Sequence, residues 1–245
     1  MRGIDVSKYQ GVIDFNKVKA AGYDFVIIRA GYGKALTQVD PYFEINYRNA
    51  KAAGLHVGAY WYSYTTTVRG AELEANTCLE ALRGKVFDMP IYYDVEEKSQ
   101  LEQGSQFLGD IIDLFCTTLE KNGYFVGLYM SASHLKNIPM KVLVKYACWC
   151  AQWAKECTFN LVRVGMWQSS SKGQVPGIIG NVDIDDCYID YPGIIKRSRL
   201  NGNDVVFNIQ AIEDAITKDQ EKNEADLAIL YKCRDDLIAL RDKYM

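Results

Sequence analysis

The chain has 245 residues, 49% of them hydrophobic, with a formal net charge of −3. That length fits one barrel, or one large domain with an appendage, and the composition allows a sizeable buried core. The weak negative charge argues against a nucleic-acid binder, and no apolar run approaches the roughly 20 residues that cross a bilayer.

Taken in chain order, short runs rich in β-branched and aromatic residues alternate with longer amphipathic ones. Strands are expected at Arg2–Asp5, Asp24–Ala30, Leu55–Tyr62, Met89–Glu96, Tyr124–Tyr129, Tyr146–Trp153, Val162–Gln168 and Val182–Asp185. Helices are expected at Phe15–Ala21, Tyr42–Ala53, Arg69–Leu82 and Gln103–Lys121, with a short one near Met140–Lys145. Gly22, Gly54, Gly84 and Gly123 follow helical runs, where a C-terminal glycine belongs. Repeated strand–helix alternation implies parallel strands with crossover helices, and eight strands imply closure. The last three strands follow one another with little helix between them. The expected architecture is therefore an α/β barrel of TIM-like type with an irregular second half.

The character changes near Asn201. Asn201-Gly202-Asn203-Asp204 reads as a linker, and Val205–Met245 contains neither Gly nor Pro. Residues 1–200 carry 21 acidic and 22 basic side chains, whereas residues 201–245 carry 10 and 6, so the tail is acidic. Ile209, Ile212, Ile216, Leu230, Leu237 and Leu240 form an apolar seam interrupted by Asp219, Asn223 and Asp226. A helix or hairpin with such a seam needs a surface to cover it. The division expected is 1–200 for a catalytic barrel and 201–245 for a linker and helical appendage. The appendage would serve in docking, self-association or contact with a separate binding module.

The chemistry concentrates at strand ends. In Tyr92-Tyr93-Asp94-Val95-Glu96 the two carboxylates are two residues apart, so on a strand both face one side. They fall at the C-terminal end, the active face of barrels of this class. Asp5 ends the first strand, and Asp183 and Asp185 lie in the last. Clustered carboxylates repel, which keeps one of them protonated near neutral pH. Glycoside cleavage needs an acid for the leaving oxygen and a negative partner for an oxocarbenium-like transition state. The aromatic and amide groups Tyr62, Tyr129, Trp153, Trp167 and Gln168 end other strands, where sugar rings can stack and hydrogen-bond. The bland alternative, that the carboxylates cap loops or pair with Arg29, suits one Asp better than the whole set.

Other signals are weak. Gly31-Tyr32-Gly33 is a lone Gly-x-Gly without a following helix start. His56 and His134 are the two histidines, too few for a triad or a histidine metal site. The seven cysteines lack paired zinc spacing and read as reduced core residues; Cys148 and Cys150 share a strand face. No metal or cofactor is expected. Two further readings are a phosphoesterase with two divalent metals on Asp5, Asp94, Glu96 and Asp183, and a non-catalytic barrel that binds wall sugars. The lack of supporting histidines counts against the first, and the presence of all four acidic residues against the second.

Four segments resemble glycoside hydrolase family 25, the muramidase (lysozyme) family of bacteriophage endolysins and bacterial autolysins. They are Ile4-Asp5-Val6-Ser7-Lys8-Tyr9-Gln10-Gly11, Phe25–Gly33, Tyr93-Asp94-Val95-Glu96, and Trp167-Gln168-Ser169-Ser170-Ser171 followed by Val175-Pro176-Gly177-Ile178 and Asn181-Val182-Asp183. The resemblance spans about residues 1–195. It implies an irregular (β/α)5β3 barrel, no cofactor, and cleavage of the β-1,4 bond between N-acetylmuramic acid and N-acetylglucosamine in bacterial peptidoglycan. It implies Glu96 as general acid/base and Asp94 as the group that steadies the substrate's 2-acetamido nucleophile. Asp5 and Asp183 would lie on the groove floor, with Tyr62, Tyr129 and Gln168 lining it. Asp185 and Asp186 make the last segment more acidic than the pattern requires, so the split of roles between Asp183 and Asp185 stays open. The N-terminus shows no secretory signal, so the expectation is a product made in the host cytoplasm that acts on the cell wall, as phage endolysins do.

Overall fold

The computed structural model describes residues 1–204 and 232–239. Strands β1 (Arg2–Val6), β2 (Phe25–Tyr32), β3 (His56–Tyr62), β4 (Ile91–Asp94), β5 (Val126–Ser131), β6 (Ala147–Ala151), β7 (Val164–Gly173) and β8 (Val182–Cys187) close into a barrel in sequence order. Helices are α1 (Phe15–Ala20), α2 (Phe43–Ala52), α3 (Val68–Leu82), α4 (Lys98–Leu101), α5 (Ser105–Lys121), α6 (Ala132–Leu135), α7 (Met140–Leu143) and α8 (Tyr191–Arg197). β1 to β7 are mutually parallel. β8 is antiparallel to both neighbours, β7 and β1, which makes the second half of the barrel irregular. A helix-free loop, residues 174–181, joins β7 to β8 where a crossover helix would be needed for parallel pairing.

Strand alternation sorts the core into two sets. One set, including Ile4, Val26, Ile28, Val57, Trp61, Tyr93 and Val95, packs against the helices. α5 supplies Leu108, Ile111, Ile112, Phe115, Cys116 and Leu119 to it at helical spacing. The other set fills the barrel interior with Phe25, Ile27, Tyr92, Tyr129, Trp149 and Met166. Bulk on one strand is accommodated by glycine on the next. A Cβ on Gly127 would stand 2.4 Å from the Tyr92 ring, and one on Gly31 2.5 Å from Trp61. The Gly31 pair accounts structurally for the lone Gly-x-Gly.

α8 closes the bottom of the barrel, with Tyr191 and Ile195 joining the interior set. The sequence reading missed this helix, although Asp190 caps it by accepting from Gly193 N at 3.0 Å and Pro192 sits in its first turn. The packed body continues past the expected boundary. Asn201 is fully buried at positive φ, accepts from Phe125 N at 2.7 Å and donates to Met89 O at 3.0 Å. Residues 201–203 thus pin the entries to β4 and β5 and are not a free linker. Residues 232–239 are helical. The rest of the proposed appendage, 205–231 and 240–245 with most of its apolar seam, lies outside the described residues. All seven cysteines are free thiols.

Candidate active site

Of the residues singled out from the sequence, Asp5, Tyr62, Asp94, Glu96, Tyr129, Trp153, Gln168 and Asp183 line one cavity of about 340 Å³ at the C-terminal end of the parallel strands, whereas Asp185 and Trp167 do not. Two placements differ from expectation. β4 ends at Asp94, so Glu96 lies in the loop that follows. A bond from Val95 N to Tyr129 O at 3.3 Å carries the ladder one step past Asp94. The extended alternation persists, so both carboxylates reach the cavity, with Asp94 buried in its floor and Glu96 exposed at its mouth. β6 ends at Ala151, so Trp153 stands on a loop, 65% exposed.

Burial pushes the Asp94 carboxyl well above its usual range, and Glu96 and Glu97 push it further; Arg29 opposes them. Its Oδ1 is buried and accepts no protein hydrogen bond. Partial burial likewise raises Glu96, against a lowering contribution from the Tyr62 hydroxyl. That hydroxyl donates to Glu97 at 2.7 Å and stands over both glutamates. A carboxyl held above its ordinary value beside a second buried carboxyl is the environment that keeps an acid protonated near neutral pH.

The antiparallel course of β8 separates Asp183 from Asp185. Asp183 sits near the start of β8, beside Asp5 in register, and so at the mouth; burial raises it to about 6. Asp185 lies two residues deeper and is fully buried, with Trp149 Nε1 donating to it at 2.8 Å. Asp5 and Asp185 both point into the barrel from the neighbouring strands β1 and β8; burial raises both, and the nearby Asp185 and Asp183 charges raise Asp5 further. Two neighbouring buried carboxyls cannot both ionise cheaply, so one of them carries a proton.

Gln168 organises the opposite wall. Its Nε2 donates to Asp5 at 2.8 Å, and its Oε1 accepts from Tyr129 Oη at 3.0 Å and Trp153 Nε1 at 3.1 Å. Trp167 is turned away and buried, with its Nε1 on Gln152 O at 2.7 Å. Trp61 faces the helices and donates to Gly33 O at 2.9 Å.

The sequence reading did not select Tyr9, Arg29, Tyr60 or Trp149, which also line the cavity. Tyr9 is 77% exposed on the turn after β1, with the Arg29 guanidinium 5.1 Å from its ring centre. Arg29 pairs with Asp40 at 2.7 Å rather than with a groove carboxylate. Period-two counting could have found Trp149: once Cys148 and Cys150 are placed on the outer face, Trp149 must face inward. Among the described residues, no group of three or more His, Cys, Asp or Glu side chains is arranged to hold a metal ion.

A closed α/β barrel with an acid-rich, aromatic-rimmed mouth defines the barrel glycoside hydrolase class. The sequence matches the family model for glycosyl hydrolases family 25 over residues 4–178, and the chain belongs to that family. An autolytic lysozyme of Clostridium acetobutylicum is 30% identical over 187 residues, 76% of this chain. The chain spans about half of that relative, 55% of its length. Among solved structures, the CTP1L endolysin superposes with a TM-score of 0.70 at 28% identity, covering 81% of this chain and 69% of its own. The autolysin LytC of Streptococcus pneumoniae, solved with a synthetic peptidoglycan ligand, gives 0.67 at 26% identity, covering 75% of this chain and 46% of its own.

Proposed function

We propose that the chain is a peptidoglycan muramidase that cuts the β-1,4 bond between N-acetylmuramic acid and N-acetylglucosamine with retention and substrate assistance. The supporting observation is the unequal pair in one cavity: Asp94 buried and hydrogen-bond-poor in the floor, Glu96 raised and solvent-accessible at the mouth. In the first step the substrate's acetamido oxygen attacks C1 of the muramic acid as the C1–O bond breaks, and Glu96 gives its proton to the leaving oxygen. Asp94 accepts from the acetamido N–H through its buried, unpartnered Oδ1 and so orients that nucleophile. In the second step Glu96, now a carboxylate, takes a proton from water, which opens the cyclic intermediate at C1. Tyr9 and Trp153 present exposed ring faces for sugars, and Gln168 holds Trp153 in place. The family membership and the autolysin and endolysin likenesses support peptidoglycan as the substrate.

Digestion of purified bacterial walls, followed by mass analysis of the fragments, tests this reading. The expected product carries a new reducing end on muramic acid. Glu96→Gln should lower the rate at least ~100-fold. Reducing ends on glucosamine, or full activity in Glu96→Gln, would sink the assignment.

A further inference from the structure

A second cavity, of about 310 Å³, lies above β5 and β6 and is lined by Ser131, Ser133, Lys136, Gln152 and Thr158, with Phe159. Its place relative to the groove follows from strand register. Ser131 and Ala151 are paired at the tops of β5 and β6, as Tyr129 and Trp149 are one layer below. Residues two apart share a face, so Ser131 and Ala151 continue the inward rows that Tyr129 and Trp149 begin. Two strand residues advance about 7 Å. The second cavity therefore sits one layer above the groove wall, on the same side of the barrel.

The bed is polar and ordered. Ser131 Oγ is 3.0 Å from Ser133 Oγ and 2.9 Å from His134 Nδ1. Gln152 Nε2 donates to Thr158 Oγ1 at 2.8 Å, while Thr158 N donates back to Gln152 Oε1 at 2.9 Å, which folds loop 152–158 into a wall. Lys136 is the cation in the lining; it is exposed and forms no ion pair with any described carboxylate. The charge is thus opposite to that of the groove, where Asp5, Asp94, Glu96 and Asp183 converge. An anionic substituent on the substrate is repelled by the groove floor and drawn to this side.

We infer that this cavity is a subsite for the peptide stem carried by muramic acid, with Lys136 pairing a stem carboxylate. The inference rests on the muramidase reading and adds a substrate feature to it. The stem leaves the sugar through its lactyl ether, close to the C1 on which Glu96 and Asp94 act. A lactyl group and two amino acids extend roughly 10 Å, enough to climb one strand layer and enter the cavity. The hydroxyls and amides of the bed match peptide amides, and the unpaired ammonium matches a carboxylate.

Steady-state cleavage of two soluble glycan preparations tests this: one bearing its peptide stems, the other stripped of them by an amidase. Lys136→Ala should lower kcat/KM on the stem-bearing glycan about tenfold, mainly through KM, and Lys136→Glu should lower it further. Both variants should match the parent on stripped glycan, whose lactyl carboxylate is too short to reach Lys136. Equal losses on both preparations, or no loss on either, overturn the subsite while leaving the muramidase reading intact. If the parent cleaves neither preparation, the muramidase reading fails first and the subsite falls with it.

Discussion

The Tyr93 phenol donates to Glu74 Oε2 at 2.6 Å from the outer face of β4, one residue before Asp94. The same buried carboxylate accepts from Ser63 Oγ at 2.8 Å and Tyr64 N at 2.9 Å, beyond the end of β3. Ser63 N in turn donates to Asp94 O at 2.9 Å, and Gln100 of α4 donates to Ser63 Oγ at 2.6 Å. One carboxylate on α3 therefore clamps the segments that carry Tyr62, Asp94 and Glu96. Glu74→Ala would leave the Tyr64 amide and one hydroxyl of the Ser63–Tyr93 pair without their acceptor, a cost of about 2–3 kcal/mol. The expected result is a lower thermal midpoint. Well below that midpoint, the expected kinetic result is a fall in kcat larger than any rise in KM, with partial recovery in Glu74→Gln. Parental stability and kinetics in the alanine variant would refute the clamp.

The Tyr62 hydroxyl lowers Glu96, while burial raises it. As general acid, Glu96 must be protonated, so activity should decline as pH rises through its raised value. Tyr62→Phe removes the lowering contribution and should move that alkaline limb to higher pH. A pH profile of kcat on a soluble glycan measures the shift. A limb that stays in place, or moves toward acid, would show that Glu96 does not set it.

Strand count, barrel closure and the cavity residues were legible because each rests on local pattern: period-two alternation, helix-ending glycines, and charged residues at strand ends. What escaped depends on partners distant in sequence. The direction of β8 is set by how it pairs with β7 and β1, and that direction decides whether Asp183 or Asp185 faces the groove. Glu74 is a buried acid on an otherwise ordinary amphipathic helix, and nothing local marks it as a partner of Tyr93. Asn201 looked like a linker because Asn and Gly favour turns; its burial comes from Phe125 and Met89, far away in the chain. Tyr9 lay within a quoted motif, but exposure cannot be read from a residue type.

The buried acid cluster gives stability a pH dependence of known sign. Folding raises Asp5, Asp94 and Asp185 well above an ordinary 3.8, and Asp183 to about 6. Between their unfolded and folded values the native state holds more protons than the unfolded chain, so these groups make stability fall as pH rises. Asp185→Asn keeps an acceptor for Trp149 but cannot ionise beside Asp5. Its thermal midpoint should exceed the parent's at pH 8, and the difference between pH 5 and pH 8 should shrink. Denaturation curves at the two pH values decide this. A variant that is less stable at pH 8 would argue against a proton shared by Asp5 and Asp185.

The Asp40–Arg29 pair is the strongest candidate for a structural ion pair at the groove. Both side chains are buried, with Arg29 Nε and Nη2 each 2.7 Å from Asp40 Oδ2. Asp40 also accepts from Lys8 N at 3.0 Å and Tyr42 N at 2.9 Å. It thereby ties the turn carrying Tyr9 to the start of α2. Asp40→Ala would strand a buried guanidinium and two amides, a loss of about 3–5 kcal/mol. The double variant Asp40→Ala with Arg29→Met removes the uncompensated charge and should recover part of that loss. Activity should return less fully than stability, because Tyr9 loses the guanidinium beneath its ring and Asp94 loses a favourable cation. Urea titration and wall digestion on the three proteins separate the two effects. If the double variant is no more stable than Asp40→Ala, the cost lies in the lost amide bonds rather than in the stranded charge.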